Sequence, residues 1–277
     1  MRPTYGLLFM DTDLCGICTE QFPIRGFAHT LGGASASGLL AVLHAVRLVQ
    51  SGQADVCIVV GALMDLSYWE CLALQAMGAM AAPGPDDDPA VLCRPFDRGH
   101  RGFVFGESCA AVVVEREGAR AHPPPYARFR GGATAMDGNR NPNPSLAGEI
   151  SVVKGALREA GLPPSAVDYV NPHGTGSPMG DQVELEALRS CGLTHARINA
   201  TKSITGHGLT AAGTVEVVAT LLQMRGQRLH PTRNLDHPLA EDFAWVRDKA
   251  EEQRIRTAVS LNMGFGGISS AICLESC

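Results

Sequence analysis

Apolar side chains recur along this chain with two periods, one typical of helices and the other of buried strands. Residues 38–51 carry them at helical spacing and end before a glycine, which predicts a helix. Continuous apolar runs at 54–62 and 108–115 are typical of strands that are buried on both faces. Polar residues dominate 83–90 and 136–145, which predicts loops, and the length and polarity of the second loop favour a position at the rim of a site.

Beyond residue 145, helical and strand patterns alternate along the chain. Helices are predicted at 147–160, 179–191 and 209–225. Strands are predicted at 167–171, 197–200, 256–262 and 269–275. Alternation of this kind is typical of a layered α/β fold.

Composition and charge exclude several classes of protein. The 277 residues are 45% hydrophobic and 18% charged, as in a globular chain that can bury a sizeable core. A net charge of −5 gives no electrostatic case for binding nucleic acid or an anionic membrane. The sequence contains neither an apolar run long enough to span a membrane nor a signal-peptide pattern at its first residues, so we expect a cytoplasmic protein.

The cysteines number nine, an odd count that argues against a disulfide framework. Four of them lie in apolar stretches and are expected to be buried, reduced thiols: Cys57, Cys71, Cys109 and Cys273. Cys15 and Cys18 have the spacing of half a metal site or of a redox pair. No second Cys/His pair at zinc spacing accompanies them, so a structural role is favoured.

Ser35 lies in Gly-Gly-Ala-Ser-Ala-Ser-Gly, residues 32–38, at the start of the first predicted helix. Backbone N–H groups point outward at a helix N-terminus and favour negative charge, so this is a suitable place for a nucleophile or an oxyanion hole. A helix cap made by Ser35 or Ser37 is the alternative, and for a lone serine before a helix it is the more common one.

Two histidines lie in glycine-rich turns between a strand and a helix. His173 follows the predicted strand 167–171, and His207 lies between two glycines. Lys202 precedes His207 and Glu216 follows it, and such charges can set the tautomer and protonation state of an imidazole. A single histidine at a strand end is usually structural, whereas two in similar turns indicate a catalytic pair.

A last glycine-rich turn, Asn262-Met-Gly-Phe-Gly-Gly267, follows the predicted strand 256–262. Its glycines would let a backbone amide approach a reacting carbonyl. Taken alone, a plain glycine-rich turn is the better explanation.

Four segments in a fixed order carry a family resemblance. They are Pro95-Phe-Asp97 with Gly102-Phe103 and Gly106-Glu107; His173-Gly-Thr-Gly-Ser with Gly180-Asp181 and Glu184; Lys202-Ser with Gly206-His207 and Ala211-Ala-Gly213; and Gly264-Phe-Gly-Gly267. From about residue 24 onward the chain resembles the β-ketoacyl synthases, condensing enzymes of the thiolase fold. The resemblance implies a layered αβαβα fold of two halves, with residues 1–115 as the remainder of an incomplete first half and 116–277 as the second.

Aligned with this family, Ser35 occupies the position of the catalytic cysteine. The family's cysteine accepts an acyl chain from a carrier protein, and two histidines then act on a malonyl thioester. A serine hydroxyl without a dedicated base is a far poorer nucleophile, so condensation should fail while decarboxylation remains. The chain is most similar to the ketosynthase-like decarboxylases of polyketide β-branching cassettes, which implies conversion of malonyl-acyl carrier protein to acetyl-acyl carrier protein.

The resemblance also implies a role for each site residue. His173 and His207 would hold the thioester carbonyl and stabilise the enolate. The backbone amides of Ser35 and Phe265 would form an oxyanion hole, and the Phe265 ring would gate the pocket. Three residues would orient the histidines: Lys202, Asp181 and Glu216. No metal or dissociable cofactor is implied, because phosphopantetheine arrives on the carrier protein.

Two other functions stay open at this point. One is a condensing enzyme that uses Ser35 as acyl acceptor, and the other is a non-catalytic partner subunit of the chain-length-factor type. The presence of both histidines and Lys202 argues against a non-catalytic subunit, whereas the short segment before Ser35 favours it. The partners implied are an acyl carrier protein, a second copy of the chain that pairs through 54–62, and HMG-CoA-synthase-like enzymes of the cassette.

The chain departs from the family at its start. Only 34 residues precede Ser35, where family members carry well over a hundred. A truncated or misassigned start, a separate chain that supplies the missing part, and a reduced protein would each explain this. The mid-domain character of residues 3–16 favours the first explanation.

Overall fold

The chain divides at residue 32 into two units, residues 1–32 and residues 33–277. The computed structural model describes residues 10, 12–119 and 123–277. In the first unit, helix α1 spans Asp13–Gln21 and has no buried side chain among the described residues. All the other elements belong to the second unit.

The helices and strands of the second unit follow the predicted alternation. The helices are α2 (Ser37–Gln50), α3 (Tyr68–Ala76), α4 (Leu146–Ala160), α5 (Pro178–Ser190), α6 (Lys202–Thr205) and α7 (Ala212–Gly226). The strands are β1 (Val56–Gly61), β2 (Ala110–Glu115), β3 (Ala127–Met136), β4 (Tyr169–Asn171), β5 (Arg197–Ile198), β6 (Arg228–Leu229), β7 (Ala244–Trp245), β8 (Glu251–Glu252), β9 (Thr257–Gly264) and β10 (Ile268–Ser276).

A six-stranded mixed sheet, in the order β3-β10-β9-β4-β5-β7, forms the centre of this unit. The hairpin β9–β10 is antiparallel, with Gly264 opposite Ile268, whereas β4 runs parallel to β9 with Asn171 opposite Ser260. Parallel strands end at the same edge of a sheet, so the loop after β4 and the turn after β9 lie side by side. These are the segments that carry His173 and Phe265.

Two helical layers cover the two faces of this sheet. Adjacent residues on β9 point to opposite faces, and Val259 packs in the cluster with α4 and α5 while Ala258 packs in the cluster with α2 and α7. The short antiparallel sheet β1–β2 packs on the far side of α2 and α7. Within the described residues the order of layers is therefore helix, sheet, helix, sheet, which corresponds to four of the five layers expected.

Helices α2 and α7 touch at their N-terminal ends. A Cβ atom added at Gly38 would lie 2.5 Å from the Thr214 nitrogen, and one added at Gly213 would lie 2.5 Å from the Leu39 nitrogen. Only glycine permits so close an approach of two backbones. The contact places the turn before α2, which carries Ser35, next to the turn before α7, which carries His207.

Several sequence-based expectations need correction. The strands β1 and β2 are not buried on both faces, because one face packs on α2 and α7 while Val56, Ile58 and Val113 on these strands are about half exposed. Of the four cysteines expected to be buried, only Cys273 is, since Cys57 and Cys71 are partly buried and Cys109, just before β2, is exposed. All nine cysteines are free. No helix in the described ranges is long and apolar enough to cross a membrane.

Candidate active site

Four of the predicted segments meet at one cavity of about 620 Å³. Ser35, His173, His207 and Phe265 all line it. Its lining includes the apolar side chains of Met64, Leu66, Leu74, Met77 and Phe103. Residues of the predicted loop 136–145 and of the first turn of α5 contribute polar groups to it.

Ser35 lies in a single helical turn, Ala34–Ala36, that leads directly into α2. Ala34 before it adopts a left-handed φ of 47°, which is strained for a residue with a Cβ. Ser37, not Ser35, bonds to the local backbone, because its hydroxyl accepts from the Gly33 amide and donates to the Ala34 carbonyl. No side-chain cap hydrogen bond forms at the start of this turn or of α2. The Ser35 hydroxyl lies 2.9 Å from His207 Nε2, so the helix-cap alternative for Ser35 is wrong.

His173 is positioned by α5 through its backbone. The Glu184 carboxylate accepts hydrogen bonds from the amides of His173 and Gly174, and Gly174 adopts a left-handed φ of 42°. A Cβ at Gly174 would approach the Phe96 ring at 2.7 Å, so the turn also rests on a buried aromatic side chain. These contacts fix the direction in which the imidazole leaves the strand.

A buried ion pair lies behind the His173 ring. Lys202 Nζ is 2.5 Å from Glu216 Oε1 and 3.3 Å from His173 Nδ1. Asn262 Nδ2 is 2.6 Å from Glu216 Oε2 and 3.3 Å from the same Nδ1. An ammonium and an amide NH₂ can only donate, so Nδ1 accepts and the proton of the neutral ring is on Nε2.

Burial controls the protonation of this site. Desolvation holds the pKa of His173 well below its usual range, and the charge of Lys202 and the neighbouring His207 lower it further. Desolvation and Lys202 likewise hold the pKa of His207 well below its usual range. Both rings are therefore neutral at pH 7. Burial also raises the pKa of Glu216, an effect that Lys202 opposes.

The second histidine is held by residues 102–106. The His207 amide donates to the Val104 carbonyl and the Gly106 amide donates to the His207 carbonyl. A Cβ at Gly106 would overlap the Thr205 carbonyl. The Phe103 ring meets the His207 ring edge-on at 5.0 Å, and the two imidazoles are nearly perpendicular with centroids 5.5 Å apart.

Asp181 has no hydrogen bond to His173 or His207 among the described residues. Its carboxylate accepts from the amides of Phe96 and Gly176 and lies 3.0 Å from His100 Nδ1. It therefore connects the loop after His173 to the Pro95-Phe-Asp97 segment. Any effect of Asp181 on the histidines passes through the backbone of that loop.

Phe265 occupies the turn between β9 and β10, and its ring is 44% exposed at the cavity. The preceding Gly264 packs so closely on the Ser35 segment that a Cβ there would overlap the Gly33 carbonyl. The turn of Phe265 and the turn of Ser35 therefore lie against each other at the same end of the cavity.

Sequence reasoning missed the roles of Glu184, Asn262 and Phe103. All three fall in segments that carried the resemblance or in the glycine-rich turn, so their positions in the sequence were visible. Their contacts with the histidines depend on tertiary structure, and no local pattern predicted them.

Comparisons with known proteins agree with this geometry. The family model described as the β-ketoacyl synthase N-terminal domain matches residues 2–119, and that of the C-terminal domain matches residues 126–236. The chain is 58% identical over its whole length to the polyketide biosynthesis malonyl-ACP decarboxylase PksF of Bacillus subtilis, of which it covers 67%. The chain belongs to the β-ketoacyl synthase family.

Other ketosynthases are related more distantly. The chain is 33% identical to 3-oxoacyl-[acyl-carrier-protein] synthase 2 of Coxiella burnetii, with 94% of the chain and 64% of that protein covered. A β-ketoacyl synthase structure from Burkholderia phymatum superposes with a TM-score of 0.89 at 27% identity, covering 97% of the chain and 66% of that structure. The thiolase-like fold is thereby confirmed. This ketosynthase chain spans about two thirds of the length of the curated relatives it matches.

Proposed function

We propose that this chain decarboxylates malonyl-acyl carrier protein to acetyl-acyl carrier protein for polyketide β-branching. The observation that carries the proposal is the combination at the cavity of a serine in the nucleophile position with two neutral histidines, of which His207 is buried and His173 partly buried. The 58% identity to a malonyl-ACP decarboxylase supports the same activity.

The histidine pair suits enolate formation. His173 carries its proton on Nε2 and can donate it as a hydrogen bond to the thioester carbonyl, which becomes more negative as carbon dioxide leaves. A donor that is already in place in a water-poor site stabilises such charge strongly. The amides of Ser35 and Phe265 are the further donors of the proposed oxyanion hole, and the Phe265 ring is its proposed gate. Lys202, Glu216 and, through the loop, Asp181 are the proposed positioning residues.

The contact of Ser35 with His207 does not make an activated nucleophile. In a hydrolase triad, the histidine that takes the serine proton is oriented by a third group and stabilised as a cation. Here His207 Nδ1 has no hydrogen-bond partner among the described residues, and burial keeps its pKa well below the usual range. A ring that resists protonation is a weak base, which argues against acylation of Ser35 and thus against condensation.

The carrier protein is the proposed partner, with the substrate on its phosphopantetheine arm. A structural relative with a TM-score of 0.91 and 25% identity is a type II polyketide synthase ketosynthase in complex with its acyl-carrier protein. A homodimer paired through 54–62, contact with HMG-CoA-synthase-like enzymes, a cytoplasmic location, the absence of a cofactor and the division of the chain between 115 and 116 stay predictions.

The test is incubation of the protein with malonyl-loaded acyl carrier protein, followed by mass spectrometry of the carrier. We expect the loss of carbon dioxide, and we expect His173→Ala and His207→Ala each to slow it about 10²-fold or more, as removal of one oxyanion-hole donor does. His195→Ala, at an exposed histidine, is the matched control. Full activity in either active-site variant contradicts the mechanism. An acyl group on Ser35 would favour the condensing alternative, and an inactive wild type the non-catalytic one.

A further inference from the structure

Decarboxylation consumes a proton, and neither histidine is a suitable source. When carbon dioxide leaves a malonyl thioester, the electron pair of the broken C–C bond stays on the α-carbon as an enolate. A proton must reach that carbon to give the acetyl group. His173 and His207 are neutral, so donating a proton would leave an imidazolate in a buried site. Water and the other titratable groups at the cavity are the remaining candidates for the acid.

Five carboxyl side chains line the cavity: Glu70, Asp137, Glu149, Asp181 and Glu184. Four of them accept hydrogen bonds that favour the charged form. Glu70 accepts from Ser67, Asp137 from the Asn139 amide, Asp181 from two amides, and Glu184 from the amides of His173 and Gly174. Glu184 is buried as well, and burial and the neighbouring Asp181 raise its pKa to about 8. Its two backbone contacts, however, tie its carboxyl group to the turn that carries His173.

Glu149 is the exception. It lies in the first turn of α4, where α4 packs against α5, and its side chain is almost fully buried at 2% exposure. Its Oε2 atom is buried without a hydrogen-bond partner among the described residues. Leaving a charged carboxylate oxygen unpaired in such a place is costly, whereas a neutral carboxylic acid is tolerated.

We propose that Glu149 is the acid that returns a proton to the α-carbon of the enolate. This inference rests on the proposed decarboxylase function and names one more catalytic residue for it. The Glu149 O–H bond breaks as the new C–H bond forms, directly or through one water in the cavity. The electron pair of the enolate makes the C–H bond, Glu149 is left as a carboxylate, and solvent reprotonates it after the acetyl product has left.

The electrostatics around Glu149 support this role. Burial raises its pKa to about 9, and the neighbouring Glu184 carboxylate raises it as well. The other charged groups at the cavity on the adjoining elements are also acidic, namely Asp181 on α5 and Asp137 after β3. No lysine or arginine is among the described residues that line the cavity. Glu149 is therefore protonated at pH 7, and its pKa is close enough to 7 for it to donate this proton.

The test separates proton donation from the breaking of the C–C bond. Wild type and Glu149→Gln are incubated with malonyl-loaded acyl carrier protein and ¹³C-labelled carbon dioxide. Acetyl-carrier protein and label exchanged into malonyl-carrier protein are then measured by mass spectrometry. We expect Glu149→Gln to form acetyl-carrier protein about 10²-fold more slowly, as for the loss of a general acid. Exchange should persist, because an unprotonated enolate recaptures carbon dioxide. Glu241→Gln, at an exposed glutamate, should behave as wild type.

Two results would overturn the proposal. One is that Glu149→Gln forms acetyl-carrier protein at the wild-type rate. The other is that isotope exchange falls together with net turnover in this variant, as a structural defect would cause. If Glu149→Gln does not fold, the wild type gives a second test. Its net turnover should fall as pH rises through about 9 while exchange continues, and turnover that stays level across this range in the folded protein contradicts the role. A wild type that releases no carbon dioxide would instead refute the proposed function itself.

Discussion

Ser35 Oγ lies 2.9 Å from His207 Nε2, while the opposite nitrogen of the same ring has no partner among the described residues. The pair resembles the serine and histidine of a catalytic triad. It lacks the third group, which would orient the histidine and stabilise its protonated form. The hydroxyl therefore lies at hydrogen-bond distance from the imidazole but is not activated by it as a nucleophile. This difference determines what removal of the hydroxyl should do.

Ser35→Ala should retain most of the decarboxylase activity. It removes one neutral hydrogen bond, whose net contribution is about 0.5–1.5 kcal/mol, equivalent to roughly a tenfold change in rate or less. The backbone amide at residue 35 stays in place. Steady-state release of carbon dioxide from malonyl-carrier protein measures the effect beside His207→Ala. A loss in Ser35→Ala as large as that in His207→Ala would show that the hydroxyl itself takes part in the chemistry.

Lys202→Met should destabilise the fold and slow the reaction for separable reasons. It leaves the fully buried Glu216 carboxylate without its cation, which costs about 3–5 kcal/mol in free energy of unfolding. The double variant Lys202→Met, Glu216→Gln removes that unpaired charge and should recover much of the stability. It still lacks the Lys202 donor to His173 Nδ1, so about a tenfold loss of turnover should remain, the effect of one charge-assisted hydrogen bond.

Denaturant unfolding of the single and double variants, with turnover measured on the same preparations, tests this separation. If turnover recovers together with stability, then Lys202 serves only to neutralise Glu216, and its proposed effect on the His173 tautomer is wrong.

Stability should depend on pH through the buried histidines. The folded-state pKa of His207 lies well below 6.5, so below pH 6.5 the unfolded chain binds a proton that the folded chain does not. The contribution of this group to the free energy of unfolding is therefore at its maximum above pH 6.5. It decreases as pH falls below 6.5, by up to about 1.4 kcal/mol per pH unit. Glu149 has the opposite effect, because burial raises its folded-state pKa to about 9. Its contribution to the free energy of unfolding falls as pH rises from its unfolded-state pKa to about 9. A difference measurement is therefore needed to isolate the histidine.

Subtracting the unfolding free energy of His207→Gln from that of wild type isolates the histidine. The difference should decrease as pH is lowered through 6.5, and a difference that stays constant from pH 8 to pH 5.5 contradicts the assigned neutral ring.

Gly106→Ala should disturb the second histidine turn. The added methyl group overlaps the Thr205 carbonyl, and relieving such a clash costs about 1–3 kcal/mol and moves the backbone that carries His207. Turnover should therefore fall along with thermal stability. Gly226→Ala is the matched control, since a Cβ there meets no atom within 4 Å. Equal effects of the two substitutions would show that residue 106 does not position His207.

Local pattern predicted much of the fold, because the helices α2, α4 and α5 have clear apolar periodicity. It missed β3, in which two arginines flank Phe129 and mostly small residues follow, and which is held by pairing with β10. It also missed α3, although Ser67 and Glu70 form a capping box whose spacing could have been recognised. Strand β5 falls within the predicted strand 197–200, whereas the two-residue strands β6, β7 and β8 were not predicted and are defined by their pairing with neighbouring strands.

The candidate site, like the fold, was predicted only in part from the sequence. His173 and His207 were found because glycine-rich turns mark them, and the structure brings both to one cavity with Ser35. Glu149 could not be found, since a glutamate in the first turn of an amphipathic helix is normally solvated. Its burial results from α5 packing over α4, which a single helix pattern does not contain.

The cavity lining, which carries no lysine or arginine among its described residues, also bears on how the enzyme would turn over. The proposed substrate is an anion at the malonyl carboxylate, whereas the acetyl product is neutral. Charged carboxylates on this lining, such as Glu70, whose pKa is lowered by its contacts with Ser67, repel the first and not the second, so the repulsion ends when carbon dioxide leaves. Acetyl-carrier protein should therefore leave slowly and compete with fresh substrate, which would make product inhibition, rather than bond breaking, the limit on flux through the β-branching step.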